Sequence, residues 1–216
     1  MSLPGFWIAV TGLALVLFLA VHLGGVGMAL ADPAVFERFS TSLHQQAWLP
    51  WLEVALLAAG LGHPVLSLHR AHRNRSARGP VAGPLRSRRK GPWESLAALA
   101  ARLIPWSGSL LLIFLAVHLA QLRWHRPVAG AELAAVLAVL RAPWSLVLYA
   151  VAGAAVGLHL LHGVESAVRR LGLLEPANAA VLRLGGRGLA LLLGAGFALL
   201  PLALVLRPAG PLLAGG

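Results

Sequence analysis

The sequence predicts an all-α integral membrane protein, a bundle of five transmembrane helices, and three observations predict it. Hydrophobic residues make up 58% of the 216 positions and charged residues only 12%, where a soluble domain would carry about a quarter charged residues. The apolar residues fall in runs of roughly twenty, the length a helix needs to cross the hydrocarbon of a bilayer. The basic residues, which bring the net charge to +11, gather between those runs, a pattern that orients a membrane protein more often than it binds nucleic acid. There is no cysteine. Disulfides, thiolate-held iron–sulfur clusters and covalently attached c-type haem are therefore excluded from this chain, and any metal would take His, carboxylate or backbone ligands.

The whole chain, 1–216, reads as one transmembrane domain. A first span is expected from Trp7 to Leu30. Ala29-Leu30-Ala31 resembles a signal-peptide cleavage site, but no basic side chain precedes the run and it is too long for a signal sequence. Asp32-Pro33 is a good cap and first-turn pair and starts a short interfacial helix through Phe36, Glu37, Phe39 and Leu43. The second span runs from Trp48 to Arg70, with Pro64 expected to kink it beside His63 by freeing the carbonyl of Gly60. Residues 70–102 hold nine of the eighteen basic residues, among them Arg86, Arg88, Arg89 and Lys90, and with their Gly-Pro pairs they read mostly as loop. A third span follows from Pro105 to Trp124, a second interfacial helix from Ala131 to Leu140, a fourth span from Trp144 to Ala167, and a fifth from Gly188 to Leu206. The loops after spans two and four carry thirteen basic residues against five on the other side. The positive-inside rule then puts the N-terminus in the cytoplasm and the C-terminus outside.

One hexapeptide occurs twice. Phe18-Leu19-Ala20-Val21-His22-Leu23 returns 96 residues later as Phe114-Leu115-Ala116-Val117-His118-Leu119. The same offset carries Thr11-Gly12 onto Ser107-Gly108, Trp48 onto Trp144 and His63 onto His159. A duplicated two-helix unit, spans 1–2 and 3–4, with two histidines per copy is the simplest account. Given the orientation, His22 and His118 fall near the outer ends of their helices and His63 and His159 near the inner ends, the two levels differing by roughly 10–15 Å at 1.5 Å per residue. A single intramembrane histidine is often just hydrogen-bonded to a neighbouring helix, but four matched in level and repeat position suit axial ligation of two b-type haems. Gly12, Gly60, Gly62, Gly108, Gly153 and Gly157 would let a flat macrocycle approach the backbone, or would simply pack helices. His162, one turn beyond His159, is an alternative ligand, although the repeat favours His159. His69 and His72 are expected at the cytoplasmic interface among arginines, solvated or near a haem propionate, and His44 and His125 at the outer surface. Arg70, Arg73 and Arg123 are candidates for haem propionates, or snorkel to the interface. Glu53 stands near the His22/His118 level, where a carboxyl in apolar surroundings would have a raised pKa suited to proton transfer; a headgroup-level acid bonded to Trp48 or water is the other reading.

With these residues in place, the chain resembles the single-subunit, five-helix di-haem cytochrome b anchor of bacterial succinate:quinone oxidoreductases, the succinate dehydrogenases and quinol:fumarate reductases. The resemblance rests on Thr11-Gly12 with Phe18 to His22-Leu23, Leu52-Glu53 with His63, Ser107-Gly108 with Phe114 to His118-Leu119, and His159-x-x-x-Gly163-x-x-Ser166. It spans nearly the whole chain through short motifs in a fixed order. It implies a multi-pass protein of the bacterial inner membrane, with an inner haem on His63/His159 facing an iron–sulfur subunit and an outer haem on His22/His118 near a quinone such as menaquinone. FAD and iron–sulfur clusters would reside in two soluble partner subunits, a flavoprotein and an iron–sulfur protein, docked on the cytoplasmic loops. Glu37 and Glu53 become candidates for quinone protonation. Some fumarate-reducing members carry a Glu two residues before the fourth haem histidine; here that position is Gly157, which favours succinate oxidation, with Glu165 as a conceivable substitute. The chain has no flavin or nucleotide motif of its own. Rival expectations are the same di-haem module serving a hydrogenase or formate dehydrogenase, and a haem-free membrane scaffold or transporter.

Overall fold

A computed structural model describes residues 3–78 and 92–207. Among these the chain is helical, without a strand: α1 (Leu3–Ala31), α2 (Pro33–His44), α3 (Leu49–Arg78), α4 (Pro92–His118), α5 (Glu132–Leu140), α6 (Pro143–Arg170) and α7 (Ala179–Leu206). α4 runs directly into a π-helical turn, Leu119–Arg123, closed by Trp124 N–H on the Leu119 carbonyl at 2.9 Å. Five segments are long and apolar enough to cross a membrane, Leu3–Ala31, Leu49–Asn74, Trp93–Arg123, Pro143–Arg170 and Ala179–Leu206, so the predicted fold class holds. The two short helices also form where expected. Asp32 caps α2, its Oδ1 accepting from Ala34 N at 2.8 Å and Val35 N at 3.3 Å.

The expected boundaries need three corrections. Residues 70–102 are not mostly loop: α3 continues to Arg78 and α4 begins at Pro92. Ala, Arg and Leu sustain a helix without help from the membrane, and Glu94 in the first turn of α4 complements its dipole. The intervening residues, with Arg86, Arg88, Arg89 and Lys90, lie outside the described residues. The third helix therefore does not start at Pro105, which sits inside it, just as α3 runs unbroken through Pro64; membrane helices tolerate such prolines because neighbours re-satisfy the freed carbonyls. Finally, α7 starts at Ala179 and not at Gly188. Its Gly185, Gly186 and Gly188 are poor helix formers, but a Cβ on Gly186 would meet Val164 Cγ1 at 3.1 Å, so close packing on α6 outweighs the propensity.

Helices α3, α1, α6 and α4 follow one another around a ring, and α7 lies outside it against α6 and α1. Across the ring, α1 and α4 are not packing neighbours, nor are α3 and α6. The α6–α7 contact is the tightest. A Cβ on Gly194 would come 2.6 Å from the Gly157 Cα, and one on Gly153 would overlap the backbone at Phe197 and Ala198. Val156, Leu160, Val164, Ala190 and Leu193 form the core beside this seam. A second core, of Ala29, Phe36, Leu140, Leu200 and Leu204, closes the end where α2 and α5 pack. On the outer faces apolar side chains point away from the protein: Val54, Leu61, Val65 and Leu68 of α3 and Ile113 of α4 are all more than half exposed. Rows of this kind would be costly in water and are what hydrocarbon requires.

Ion pairs tie the helix ends. Glu94 accepts from Arg187 at 2.9 Å, with the guanidinium over the Trp93 ring, and joins α4 to α7. Glu165 meets Arg169 and Arg183, joining α6 to α7. At the opposite end, where α2 and α5 lie, the Arg207 guanidinium donates to the Ala29 carbonyl.

Candidate metal centre

The four repeated histidines meet in two pairs, each spanning a diagonal of the ring. His22 of α1 and His118 of α4 have ring centroids 5.9 Å apart with planes at 81°. His63 of α3 and His159 of α6 are 6.4 Å apart at 67°. His159 and not His162 faces His63. The levels can be read along α1 and α4. The His63 ring lies under Gly12, where a Cβ would meet its Cε1 at 3.0 Å, and the His159 ring lies under Gly108 at 3.4 Å. Gly12 precedes His22 by ten residues and Gly108 precedes His118 by ten, which places the pairs about 15 Å apart along the bundle.

Neighbouring groups fix which nitrogen is free in three of the four rings. Thr11 Oγ1 donates to the Trp7 carbonyl at 2.7 Å and lies 3.2 Å from His63 Nδ1, which is also 3.1 Å from the Ile8 carbonyl. With the hydroxyl hydrogen committed, both oxygens act as acceptors and Nδ1 carries the ring proton. Ser107 repeats this on the other side, donating to Ile104 O at 3.2 Å and accepting from His159 Nδ1 at 3.2 Å. His118 Nδ1 lies 3.2 Å from the Tyr149 hydroxyl. In these three rings Nε2 is left with its lone pair, the arrangement a metal-ligating histidine needs. His22 is held by aromatic rings, stacked on Phe18 and Phe197.

These residues fit a haem. An imidazole nitrogen sits about 2 Å from a metal, so two rings on opposite sides of one iron have centroids roughly 6 Å apart. Among the described residues no group of three or more His, Cys, Asp or Glu is arranged to hold a metal ion, so each pair offers two imidazoles, the number a haem iron takes from protein. Arg170 supplies a second mark. Its Nε donates to Ser166 Oγ at 3.2 Å, but Nη1 is buried without a hydrogen-bond partner. A buried guanidinium N–H needs an acceptor, and an anionic propionate at that level would provide one.

The expected glycine roles divide. Gly12 and Gly108 make room for imidazole rings, Gly153 and Gly157 make room for α7, Gly60 meets Leu115, and Gly62 meets nothing within 4 Å. Glu53 is not a carboxyl in apolar surroundings. Arg123 grips it with two N–H groups, Nε at 2.8 Å, and Arg126 adds a contact at 3.3 Å. Arg123 is thus committed to Glu53 and not to a propionate, while Arg73, like His69 and His72, is exposed. Glu37 caps α5 from outside it, its oxygens accepting from Glu132 N at 3.1 Å and Leu133 N at 2.8 Å. Glu132 in turn accepts from Gly130 N at 2.8 Å and Thr41 Oγ1 at 3.3 Å, and lies 3.5 Å from His44. Burial, and then the bond to Glu132, raise the Glu37 pKa. Burial alone would raise Glu132 too, but the hydrogen bonds from Glu37, its own N–H, Gly130 and His44 hold it below the usual carboxyl range. Glu37 also edges a groove of about 360 Å³ with Arg38, Thr41, Ser42, Gln45 and Gly130. His125 bonds the Ala120 carbonyl at 2.7 Å.

Tyr149 and Arg170 were missed in the sequence. A signal existed for the first, since it is the only tyrosine and lies inside an apolar span, where polar groups tend to be functional. Arg170 looked like any interfacial arginine. Fold and site together define a multi-pass helical membrane protein with two trans-facing histidine pairs. The chain matches no protein-family model, no curated protein and no solved structure.

Proposed function

We propose that this chain is the membrane-anchor cytochrome b subunit of a succinate dehydrogenase, a succinate:quinone oxidoreductase, with one b-type haem between His22 and His118 and another between His63 and His159. The observation that carries the reading is the pairing itself: across each diagonal of the helix ring two imidazoles meet, at 5.9 and 6.4 Å. When bound, a haem with two imidazole ligands has no open position and exchanges single electrons, here between an iron–sulfur subunit and menaquinone or a similar quinone. The chain's own residues do the rest. Thr11, Ser107 and Tyr149 keep the ligand rings in the Nδ1–H tautomer. Arg170 offers a buried cation to an anionic edge. Basic side chains at the Arg170 end, the cytoplasmic end in this reading, receive the flavoprotein and iron–sulfur subunits, which hold FAD and the clusters. At the other end Glu37, beside its groove and with its pKa raised, is better placed than the ion-paired Glu53 to hand protons to a quinone. The shared contacts of Thr11 with His63 and Ser107 with His159 support a duplication. The position at which a proton-carrying carboxylate would stand is Gly157, where a Cβ would press on the Gly194 Cα at 3.2 Å, which favours succinate oxidation in the bacterial cytoplasmic membrane.

The test is an absorption spectrum of the gently solubilised native complex, reduced first by succinate and then by dithionite. Two b-haems per chain, at least one reduced by succinate, are expected. Reduction by dithionite alone would move the chain to another dehydrogenase, such as a hydrogenase or formate dehydrogenase, and absence of haem would return the histidines to a structural role.

A further inference from the structure

The polar surroundings of the two histidine pairs differ. At His63 and His159, Nδ1 meets hydroxyls and a carbonyl whose own bonds lie within one helix turn. At His118 it meets a chain that leaves the ring and crosses between helices. Tyr149 Oη is 3.2 Å from His118 Nδ1 and donates to Gln121 Oε1 at 3.2 Å, and Gln121 Nε2 donates to Ser145 Oγ at 3.3 Å. The phenol has one hydrogen and gives it to Gln121, so toward His118 it is an acceptor. All three bonds then point the same way, from imidazole to phenol to amide to the fully buried Ser145. Gln121 lies in the π turn that begins one residue after His118, and a π turn re-aims the side chains that follow it. Phe114 packs edge-on against the phenol at 4.9 Å and fixes its position. His22, by contrast, is stacked between Phe18 and Phe197.

The geometry points to Tyr149, backed by Gln121, as the positioning residue that sets the electron affinity of the iron held by His22 and His118. This rests on the two-haem reading. An acceptor on Nδ1–H makes an imidazole a stronger donor to its metal, which favours the ferric state. The phenol is the only such acceptor on this pair among the described residues, and it can be removed without disturbing the other pair.

The experiment is redox titration of each haem, followed by absorption and electron paramagnetic resonance, in the full chain purified with its partners from membranes. Tyr149→Phe keeps the ring against Phe114 and removes the hydroxyl. We expect two haems per chain, with the His22–His118 haem alone shifted to higher potential. At a fixed solution potential its ferric-to-ferrous ratio should fall by about twofold to tenfold, the equilibrium worth of one hydrogen bond. Gln121→Leu, which leaves the phenol but removes its acceptor, should move the same haem by less. Unchanged potentials with both haems bound, or an equal shift of both, would overturn the inference and leave the two-haem reading standing. If Tyr149→Phe loses that haem, Gln121→Leu decides: a shift of the one haem supports the inference and no shift overturns it. Absence of haem from the unmutated chain would instead sink the parent reading.

Discussion

At the scale of single residues, the chemistry turns on what an imidazole does with its second nitrogen. Burying a polar ring in hydrocarbon is tolerated when both nitrogens are engaged, and Thr11, Ser107 and Tyr149 engage only Nδ1. The paired rings meet across the bundle, His22 with His118 and His63 with His159. If each pair holds its own haem, His159→Ala should lower the content from two haems per chain to one and leave the His22–His118 spectrum in place, as measured by haem extraction and low-temperature spectra. Loss of the His22–His118 signal with the other retained would contradict the pairing. The four histidines were legible because a hexapeptide repeats around two of them and the spacing of 41 residues repeats for the rest. Thr11-Gly12 and Ser107-Gly108 were visible as a recurring dipeptide, but their use was not: a hydroxyl for Nδ1 and a missing side chain for the ring, both on a histidine 51 or 52 positions away. Glu53 was misread for the same reason, its partner Arg123 lying 70 residues on. Long-range pairing of polar groups leaves no local periodicity to read.

At the scale of elements, the spans were legible from apolar runs, while their ends were not, because the ends are set by contacts. The fifth span was expected from Gly188, but α7 begins at Ala179, with Gly186 packed on Val164 of α6, and the seam at Gly153, Gly157 and Gly194 shows why α7 is where it is. The same seam accounts for the residue at 157, since any larger side chain would push against the α7 backbone. At the other end, α2 and α5 are held together by the Glu37–Glu132 pair, with Glu37 capping the first turn of α5. The signs of the two pKa shifts are opposite. Glu37, raised, stabilises the contact below the ordinary carboxyl range, and this is lost as pH rises through its raised value. Glu132, lowered, stabilises it above that range, and this is lost as pH falls through its depressed value. Protection of the α5 first-turn amides from hydrogen exchange, corrected for intrinsic rates, should therefore peak between the two, where the pair keeps one proton. Glu37→Gln, an amide donor to Glu132 at every pH, should abolish the alkaline loss and keep the acid one. A flat profile in the unmutated chain would count against the shared proton.

For the whole molecule the governing fact is where charge can go. Of the seven acidic residues, Asp32 caps a helix and Glu37, Glu53, Glu94, Glu132 and Glu165 bond to other elements at the two ends of the bundle. The carboxylates are thus largely consumed in holding helices together, and the excess of arginine remains, concentrated at the end where α3 and α6 finish. A surplus of this kind is kept on the cytoplasmic side during insertion. The same charge would receive acidic partner subunits and would put the His63–His159 pair nearest to them. Since the chain lacks cysteine, one introduced thiol reports one side without background. Ser76→Cys, on the exposed end of α3, should react with a membrane-impermeant maleimide only after cells are opened, and Ser42→Cys, exposed on α2, should react in intact spheroplasts. The reverse result would place Glu37 and its groove in the cytoplasm and the arginine end outside. It would then remove the proposed docking face from the compartment in which soluble dehydrogenase subunits are made, whatever the histidines bind.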